Sequence, residues 1–386
     1  MKTIKSINSS NSLYVEMTSG LLEDNEKVVS KFQAQRFSSL KEFPDFYTFN
    51  KGLFYSHRDF DKFFERLKKG EKSAIVSGLN PSSTLQLGHK TVFDTNLFFQ
   101  KKYGIPVFIP LSDDESYVAK KVKNREEAVE HGVDLIIDLL AYGFDPGLTK
   151  VVFDFYYTDI FSIAMNLSRH VTLSEIKAVY GYKNDDNIGL HFYPNIQSAH
   201  VLLPQIAYAT KNVLVPIGPD EDSHLRLCRD IASRVGYEKP AILHARFMPG
   251  VDGLKMSKSR PDYAIFLHDN PETIAKKISK AFSGGRDTIE EHRKLGGNPD
   301  IDISFLYLST YFLGIQEVKK LREDYLHGVV LSGQLKNMLI EKINDFIAEF
   351  KIRREHVTFD QIEKILLRGN DGARLEQIKD IFEKIR

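Results

Sequence analysis

The sequence predicts an α/β domain built on a parallel sheet, followed by a second domain that is entirely helical. Two observations lead to this fold class. From about Ser73 to Phe247, short apolar runs alternate with helix-length segments, the pattern of a parallel sheet with right-handed crossovers. After about Pro271 the patterned segments all have helical periodicity, and no strand-like run is left. A length of 386 residues agrees with two domains.

The individual elements follow from the apolar pattern. The segment "GLFYSHRDFDKFFERLKKGEK" indicates a short hairpin and then an amphipathic helix. Strands are predicted at "SAIVSGL", "IPVFIPLS", "KVVFDF", "NVLVPIG" and "PAILHARF". Between them, Leu87–Tyr103 and "DSHLRLCRDIASRVG" are predicted helices, and "NREEAVEHGVDLIIDLLAYG" is a capped helix that Gly143 stops.

The alternation also sets the predicted domain bounds. Residues 156–210 interrupt it with mostly helical sequence, which indicates a helical insertion. We therefore expect an α/β domain over 46–270 and a helical domain over 271–386. Residues 1–45 form a leader that we expect to be poorly ordered, because its start is basic and rich in Ser and Asn.

Composition excludes several classes of protein. There are 53 basic and 52 acidic residues, so a nucleic-acid site has to be a local patch. The single Cys228 excludes a disulfide framework and a cysteine zinc cluster. No apolar run reaches membrane-spanning length, and the start lacks a signal-peptide apolar segment. We expect a cytoplasmic protein with no membrane partner and no protein-bound metal.

The first candidate motif lies in "LNPSSTLQLGHK", between a strand and a helix. A helix N-terminus offers unpaired N–H groups and a positive dipole end to phosphate. Gly88 leaves room for a purine, and His89 can donate a hydrogen bond to a phosphate oxygen. The alternative is an ordinary strand-to-helix turn with a capping histidine.

The second candidate motif is "KMSKS", Lys255 to Ser259, in a loop between the two predicted domains. Its two lysines and two serines are groups that bind a polyphosphate. Gly253 before it and Pro261 after it suit a loop that moves on its ends, so that it closes as the leaving group gains charge. The alternative is a solvated surface loop.

Together the two motifs resemble the signatures of class I aminoacyl-tRNA synthetases. The blocks "GLFYSHRDF", "SDDES", "RHVTLSEIKAVYGY", "YPNIQSA" and "AFSGGRDTIEEHRKLGGNPDIDISFLYL" are similar to the tryptophanyl type found in archaea and the eukaryotic cytosol. The resemblance covers about residues 45–386. It implies a Rossmann-like catalytic domain, a helical domain that contacts the tRNA anticodon, and a homodimer.

The resemblance also implies roles for individual residues. ATP with Mg²⁺ would be the co-substrate, and tryptophan and tRNA the other substrates. His89, Lys255 and Lys258 would be catalytic. The ATP site would comprise Ser83, Gln86, Gly88, His89, Lys255, Met256, Ser257, Lys258 and Ser259. The amino-acid site would comprise Val76, Gly78, Pro110, Glu115, Gln197 and Glu221, with Glu115 facing the amino group. Without the resemblance, "DDE" at 113–115 is equally a metal site or a hydrogen-bonded loop.

The sequence departs from the family pattern at three main positions. Gln86 replaces the first histidine of a His-x-Gly-His tetrad, and a neutral amide cannot carry charge. Val76 stands where the family places a tyrosine beside the indole, and Pro110 where it places a glutamine that reads the indole N–H. Glu221 also replaces a glutamine. A buried N–H without an acceptor costs about 1–3 kcal/mol, so these changes weaken the selection of tryptophan.

Three functions are therefore open from the sequence. The first is a tryptophan–tRNA ligase that forms an aminoacyl-adenylate and transfers the amino acid to tRNA. The second is a diverged relative that retains tRNA or partner binding, with weak or altered activation. The third is a nucleotidyltransferase of the same ancestry, which the helical domain and the "FSGGRDTIEEHR" block argue against.

Overall fold

The computed structural model describes residues 27–82, 84–256, 260–369 and 372–386. It contains a seven-stranded sheet in the order β1-β2-β7-β6-β3-β4-β5. The strands are β1 (Gln35–Arg36), β2 (Phe54–Arg58), β3 (Ser73–Val76), β4 (Val107–Leu111), β5 (Thr149–Phe153), β6 (Asn212–Ile217) and β7 (Ala241–Ala245). Strands β3 to β7 pair in parallel. The α/β prediction is thereby confirmed, with all five predicted parallel strands present.

The predicted hairpin at 52–60 is wrong. Phe54–Arg58 forms a single strand, and it pairs antiparallel with the distant β7 and with the short β1. The sheet is therefore mixed, with an antiparallel edge added to a parallel core. The amphipathic helix predicted after this strand is present at Phe60–Lys68.

Helices cover both faces of the sheet. The α/β half contains α1 (Tyr47–Asn50), α2 (Phe60–Lys68), α3 (Lys90–Tyr103), α4 (Asp113–Val118), α5 (Arg125–Tyr142), α6 (Asp159–Ser168), α7 (Leu173–Tyr180), α8 (Ile188–Tyr208) and α9 (Asp222–Val235). Asn124 caps the start of helix α5, where its side chain accepts from the N–H of Glu127, and Gly143 caps the end in the left-handed region. The capped helix is thus as predicted. The segment predicted as an insertion, 156–210, folds as α6 to α8.

The C-terminal part that is described contains helices and no strand. These are α10 (Pro271–Ser279), α11 (Ile289–Leu295), α12 (Ile303–Tyr307), α13 (Ile315–Leu326), α14 (Ser332–Glu355), α15 (Phe359–Ile365) and α16 (Gly372–Ile385). A π-helical turn at Leu308–Phe312 follows α12. The ammonium of Lys51 donates to the carbonyls of Ser309, Thr310 and Leu313 at 2.8–3.0 Å, which satisfies the end of this turn.

Successive side chains along each strand point to opposite faces of the sheet and pack into two separate hydrophobic cores. Ile75 packs on one face with the helices of the C-terminal part, whereas Ala74 and Val76 pack on the other with α6 to α9. Burial of both faces explains why the parallel strands are continuous apolar runs. No helix in the described residues is long and apolar enough to cross a membrane.

Candidate active site

The first motif forms a tight turn at the carboxyl side of β3. Leu87–His89 is one turn of 3₁₀ helix that continues into α3. The Nδ1 atom of His89 lies 3.1 Å from the backbone nitrogen of Gln86, and its ring stacks on Phe93 with centroids 5.6 Å apart. The imidazole is therefore held over the start of α3, where a helix N-terminus favours phosphate.

The structure brings the two motifs together. The Leu87 N–H donates to the Ile265 carbonyl at 2.8 Å, and the Leu267 N–H donates to the Leu85 carbonyl at 2.9 Å. A Cβ atom added to Gly88 would lie 3.4 Å from Sδ of Met256. The chain that follows the second motif is thus paired with the first motif, although the two are far apart in sequence.

The side chain of Gln86 lies at this junction. Its Nε2 would be 3.7 Å from a Cβ on Gly88. Its Oε1 is buried and has no hydrogen-bond partner among the described residues. A buried amide with an unsatisfied end is a group that a ligand can satisfy.

The residues that flank the second motif are held in place by side-chain contacts. Arg260 forms an ion pair with Asp252, and the hydroxyl of Tyr307 donates to the Pro249 carbonyl at 2.5 Å. The predicted ATP-binding residues Ser83, Ser257, Lys258 and Ser259 lie outside the described residues. Their roles stay predictions.

Lys255, by contrast, has a defined position. Its ammonium lies 2.7 Å from Oδ2 of Asp220 and 3.8 Å from the centroid of the Phe247 ring. Its charge also lowers the pKa of Glu221, one of the predicted amino-acid residues. This lysine therefore links the second motif to the predicted amino-acid site.

Glu115 lies in the first turn of α4 and is 8% exposed. Its carboxylate accepts from Asn80 and, at 2.7 and 2.9 Å, from the ammonium of Lys121. Ser116 fixes Asn80 by donating to its Oδ1 at 2.8 Å. Glu115 is thus an oriented anion that already binds one ammonium group.

Four residues form a closed arrangement that we call the polar cluster: Tyr180, Gln197, Glu221 and His224. The Tyr180 hydroxyl donates to Oε1 of Gln197, whose Nε2 donates to Glu221 at 3.3 Å. Nδ1 of His224 lies 2.8 Å from Glu221, and its ring stacks on Tyr180 at 3.9 Å with the planes 1° apart. Each member positions the next.

The polar cluster keeps Glu221 ionised. Burial alone would raise the pKa of this carboxyl, but the hydrogen bond and charge of His224, the bond from Gln197 and the charge of Lys255 lower it below its usual range. The pKa of Tyr182 is raised to about 12 by burial and then by the charges of Glu115, Asp186 and Glu221. Both predicted carboxylates therefore act on one tyrosine, and this region of the site is anionic.

Of the remaining predicted residues, Val76 and Pro110 lie in strands β3 and β4, and Gly78 lies two residues after the end of β3. Val76 is 1% exposed and packs in the core on the α6 to α9 face. A Cβ on Gly78 would lie 3.9 Å from the Pro110 carbonyl, which accepts from the Leu79 N–H at 2.8 Å. Val76 and Pro110 thus present no polar side-chain atom.

Several side chains of the site were not singled out from the sequence. Tyr180, Tyr182, Tyr193 and His224 are all part of it, and the Tyr193 hydroxyl lies 3.3 Å from Oγ of Ser112. Tyr193 lies four residues before Gln197, so helical spacing places it on the same face of α8. That four-residue spacing is the sequence signal from which Tyr193 could have been predicted as a site residue.

The described residues contain one cluster with metal-like spacing, formed by Asp134, Asp138 and His268. Arg354 forms ion pairs with both carboxylates. The guanidinium of Arg354 thus already supplies positive charge to this cluster. The cluster lies where α5 contacts the C-terminal helices. We assign it a structural role.

Comparison with known proteins agrees with this architecture. The family of class I tRNA synthetases for W and Y matches residues 68–348. A protein of Sulfurisphaera tokodaii named tryptophan–tRNA ligase is 38% identical over 308 residues, which are 78% of this chain and 80% of that protein. The human cytoplasmic tryptophan–tRNA ligase is 37% identical over 327 residues, 81% of this chain and 69% of that protein.

A solved structure shows the same likeness. The tryptophanyl-tRNA synthetase of Aeropyrum pernix K1 superposes with a TM-score of 0.81 at 33% identity, covering 90% of this chain and 98% of that one. The family resemblance stated from the motifs is confirmed. The chain belongs to the class I tRNA synthetases of the W and Y family.

Proposed function

We propose that the chain is a tryptophan–tRNA ligase, which activates tryptophan with ATP·Mg²⁺ and transfers it to tRNA. The observation that carries this proposal is the contact between the two motifs beside an anionic site. Lys255 of the second motif reaches this site through its ion pair with Asp220, next to Glu221. The names of the human and archaeal relatives support tryptophan as the amino acid.

The first step needs positioning and charge stabilisation. The tryptophan carboxylate attacks the α-phosphorus in line, and pyrophosphate leaves. Gly88 and His89 would receive the adenine and the phosphates at the start of α3, and Gln86 would donate its amide there. Lys255 and Lys258 would neutralise the pyrophosphate as it gains charge, so that they contribute mainly in the transition state.

The amino group of the substrate would be held at the anionic end of the site. Glu115 and Glu221 supply charge, and the amide oxygen of Gln197 supplies an acceptor. The ammonium would replace or join that of Lys121 on Glu115. Such charge-assisted hydrogen bonds are roughly twice as strong as neutral ones.

We further propose the division of labour that the family implies. Residues 46–270 would form the catalytic domain, and residues 271–386 the domain that contacts the tRNA anticodon, in a homodimer that acts in the cytoplasm. Binding of tRNA should then weaken steeply with salt, because phosphate contacts release counterions.

A second candidate is a diverged tRNA-binding relative, and Val76 with Pro110 favours it. Neither side chain offers a partner to an indole N–H, so tryptophan would lose about 1–3 kcal/mol of binding there. The candidate predicts intact tRNA binding with little activation.

Exchange of pyrophosphate into ATP, measured with each of the twenty amino acids, separates the two candidates. The ligase shows exchange that depends on tryptophan, and Lys258→Ala reduces the exchange rate far more than the affinity for tryptophan. Because the chain contains no tryptophan, the emission of added tryptophan reports its binding directly. Absence of exchange and of an emission shift, with tRNA binding retained, supports the second candidate.

A further inference from the structure

Two buried side chains and one half-buried side chain behind the candidate site form a hydrogen-bonded chain that we call the buried triad: Asp154 and His200, with Asp114. Nε2 of His200 lies 2.6 Å from Oδ1 of Asp154, and the two side chains are 3% and 0% exposed. The carboxyls of Asp114 and Asp154 lie within hydrogen-bonding reach of each other. Two buried carboxyls this close cannot both be ionised, so they share a proton.

Two carboxylate oxygens without a hydrogen-bond donor in the described part of the chain agree with a proton shared between Asp114 and Asp154. Oδ1 of Asp114 and Oδ2 of Asp154 are buried and find no donor among the described residues. Burial, then the charge of Asp154, raises the pKa of Asp114, and burial, then the charge of Asp113, raises that of Asp154. Burial lowers the pKa of His200 to about 4, so the neutral imidazole donates its Nε2–H to Asp154.

The buried triad joins the elements that carry the proposed amino-acid ligands. Asp114 precedes Glu115 in α4. His200 lies three residues after Gln197 in α8, on the adjacent turn. Asp154 directly follows β5 and bonds to both. Asp113, which accepts from the Phe155 N–H at 2.9 Å, fixes the start of α4 to the same strand end.

We propose that the buried triad sets the separation between Glu115 and Gln197, so that Asp114, Asp154 and His200 are positioning residues for the substrate amino acid. The proposal rests on the proposed function, because Glu115 and Gln197 are assigned to the substrate there. It adds a source for their geometry. Tyr193 and Asn187 also connect α8 directly to Ser112 and Val118 at the two ends of α4, and the triad ties both helices to the end of β5.

The test is the KM for tryptophan in pyrophosphate exchange. Asp154→Ala leaves His200 and Asp114 without a common partner, and we expect a KM about tenfold higher for tryptophan with the KM for ATP changed less than about twofold. Asp154→Asn keeps an acceptor for His200 and supplies a donor for Asp114. Its KM should stay within about threefold of the wild-type value.

Asp138→Ala is the matched control, because Asp138 is also a buried aspartate bonded to a histidine, His268, at 2.9 Å. It lies against the C-terminal helices, away from α8. It should lower the unfolding midpoint and leave the KM for tryptophan unchanged. Equal KM changes in the two alanine variants, or none in either, overturn the proposal. If Asp154→Ala does not fold, His200→Ala takes its place with the same expected KM.

Failure of the proposed function gives a different result. If the wild type activates none of the twenty amino acids, the ligase assignment is wrong, and crystal structures of the wild type and Asp154→Ala then decide. A changed separation between Glu115 and Gln197 in the variant supports the positioning role. An unchanged separation overturns it.

Discussion

Arg354→Ala should destabilise the whole chain, because Arg354 joins the C-terminal helix α14 to helix α5 of the α/β half. Its Nε lies 2.8 Å from Oδ1 of Asp138, a side chain with 0% exposure, and its Nη2 bonds to Asp134. Removing one partner of a buried ion pair costs about 3–5 kcal/mol, because a charge is left buried. His268 remains 2.9 Å from Asp138 and compensates in part, so we expect a loss of about 2–3 kcal/mol.

Urea unfolding followed by circular dichroism measures this loss, with coincidence of a second probe as the check on two-state behaviour. Arg234→Ala is the matched control. Arg234 lies 2.7 Å from Glu175, but the two side chains are 42% and 35% exposed, so the expected loss is below about 1 kcal/mol. Equal losses in the two variants would refute the role of burial at Arg354.

Three further predictions concern backbone, pH and rate. Gly296→Ala should cost at least about 3 kcal/mol, read as a lower thermal midpoint, because φ is +70° and the new Cβ would lie 1.7 Å from the Leu326 carbonyl oxygen. His200 has a pKa near 6.5 when unfolded and about 4 when folded, so its contribution to stability should fall as the pH drops from 6.5 towards 4, by at most about 3 kcal/mol. Urea midpoints at pH 7 and 4.5 should therefore converge in His200→Gln; an unchanged difference contradicts the assignment. Gln86→His should raise the exchange rate about tenfold with ATP affinity nearly unchanged.

Much of the sheet was predictable because its strands are local patterns. The runs that became β3 to β7 are short, apolar and separated by helices, and such runs form a parallel core. Strand β2 was misread because its partner is β7, far along the chain. A hairpin needs only nearby residues, whereas this pairing depends on the finished sheet.

The residues of the candidate site also fall into those that a local sequence pattern predicts and those that depend on contacts between distant residues. Gly88, His89 and Glu115 lie in motifs whose spacing is visible in the sequence. The bonds of Gln197 with Tyr180 and Glu221, and the bond between His200 and Asp154, join residues on different elements. No local pattern records which buried carboxylate a histidine meets. These contacts follow only from the packing of α7, α8 and α9 against the strand ends.

The proposed ligase joins tryptophan to tRNA at the expense of ATP. The direct measurement is the attachment of labelled tryptophan to a transcript of tRNA(Trp) by the purified full chain, with and without ATP·Mg²⁺. We expect charging that requires ATP and is lost in Lys255→Ala. No charging at saturating tryptophan and ATP, while the transcript still binds, would contradict the claim.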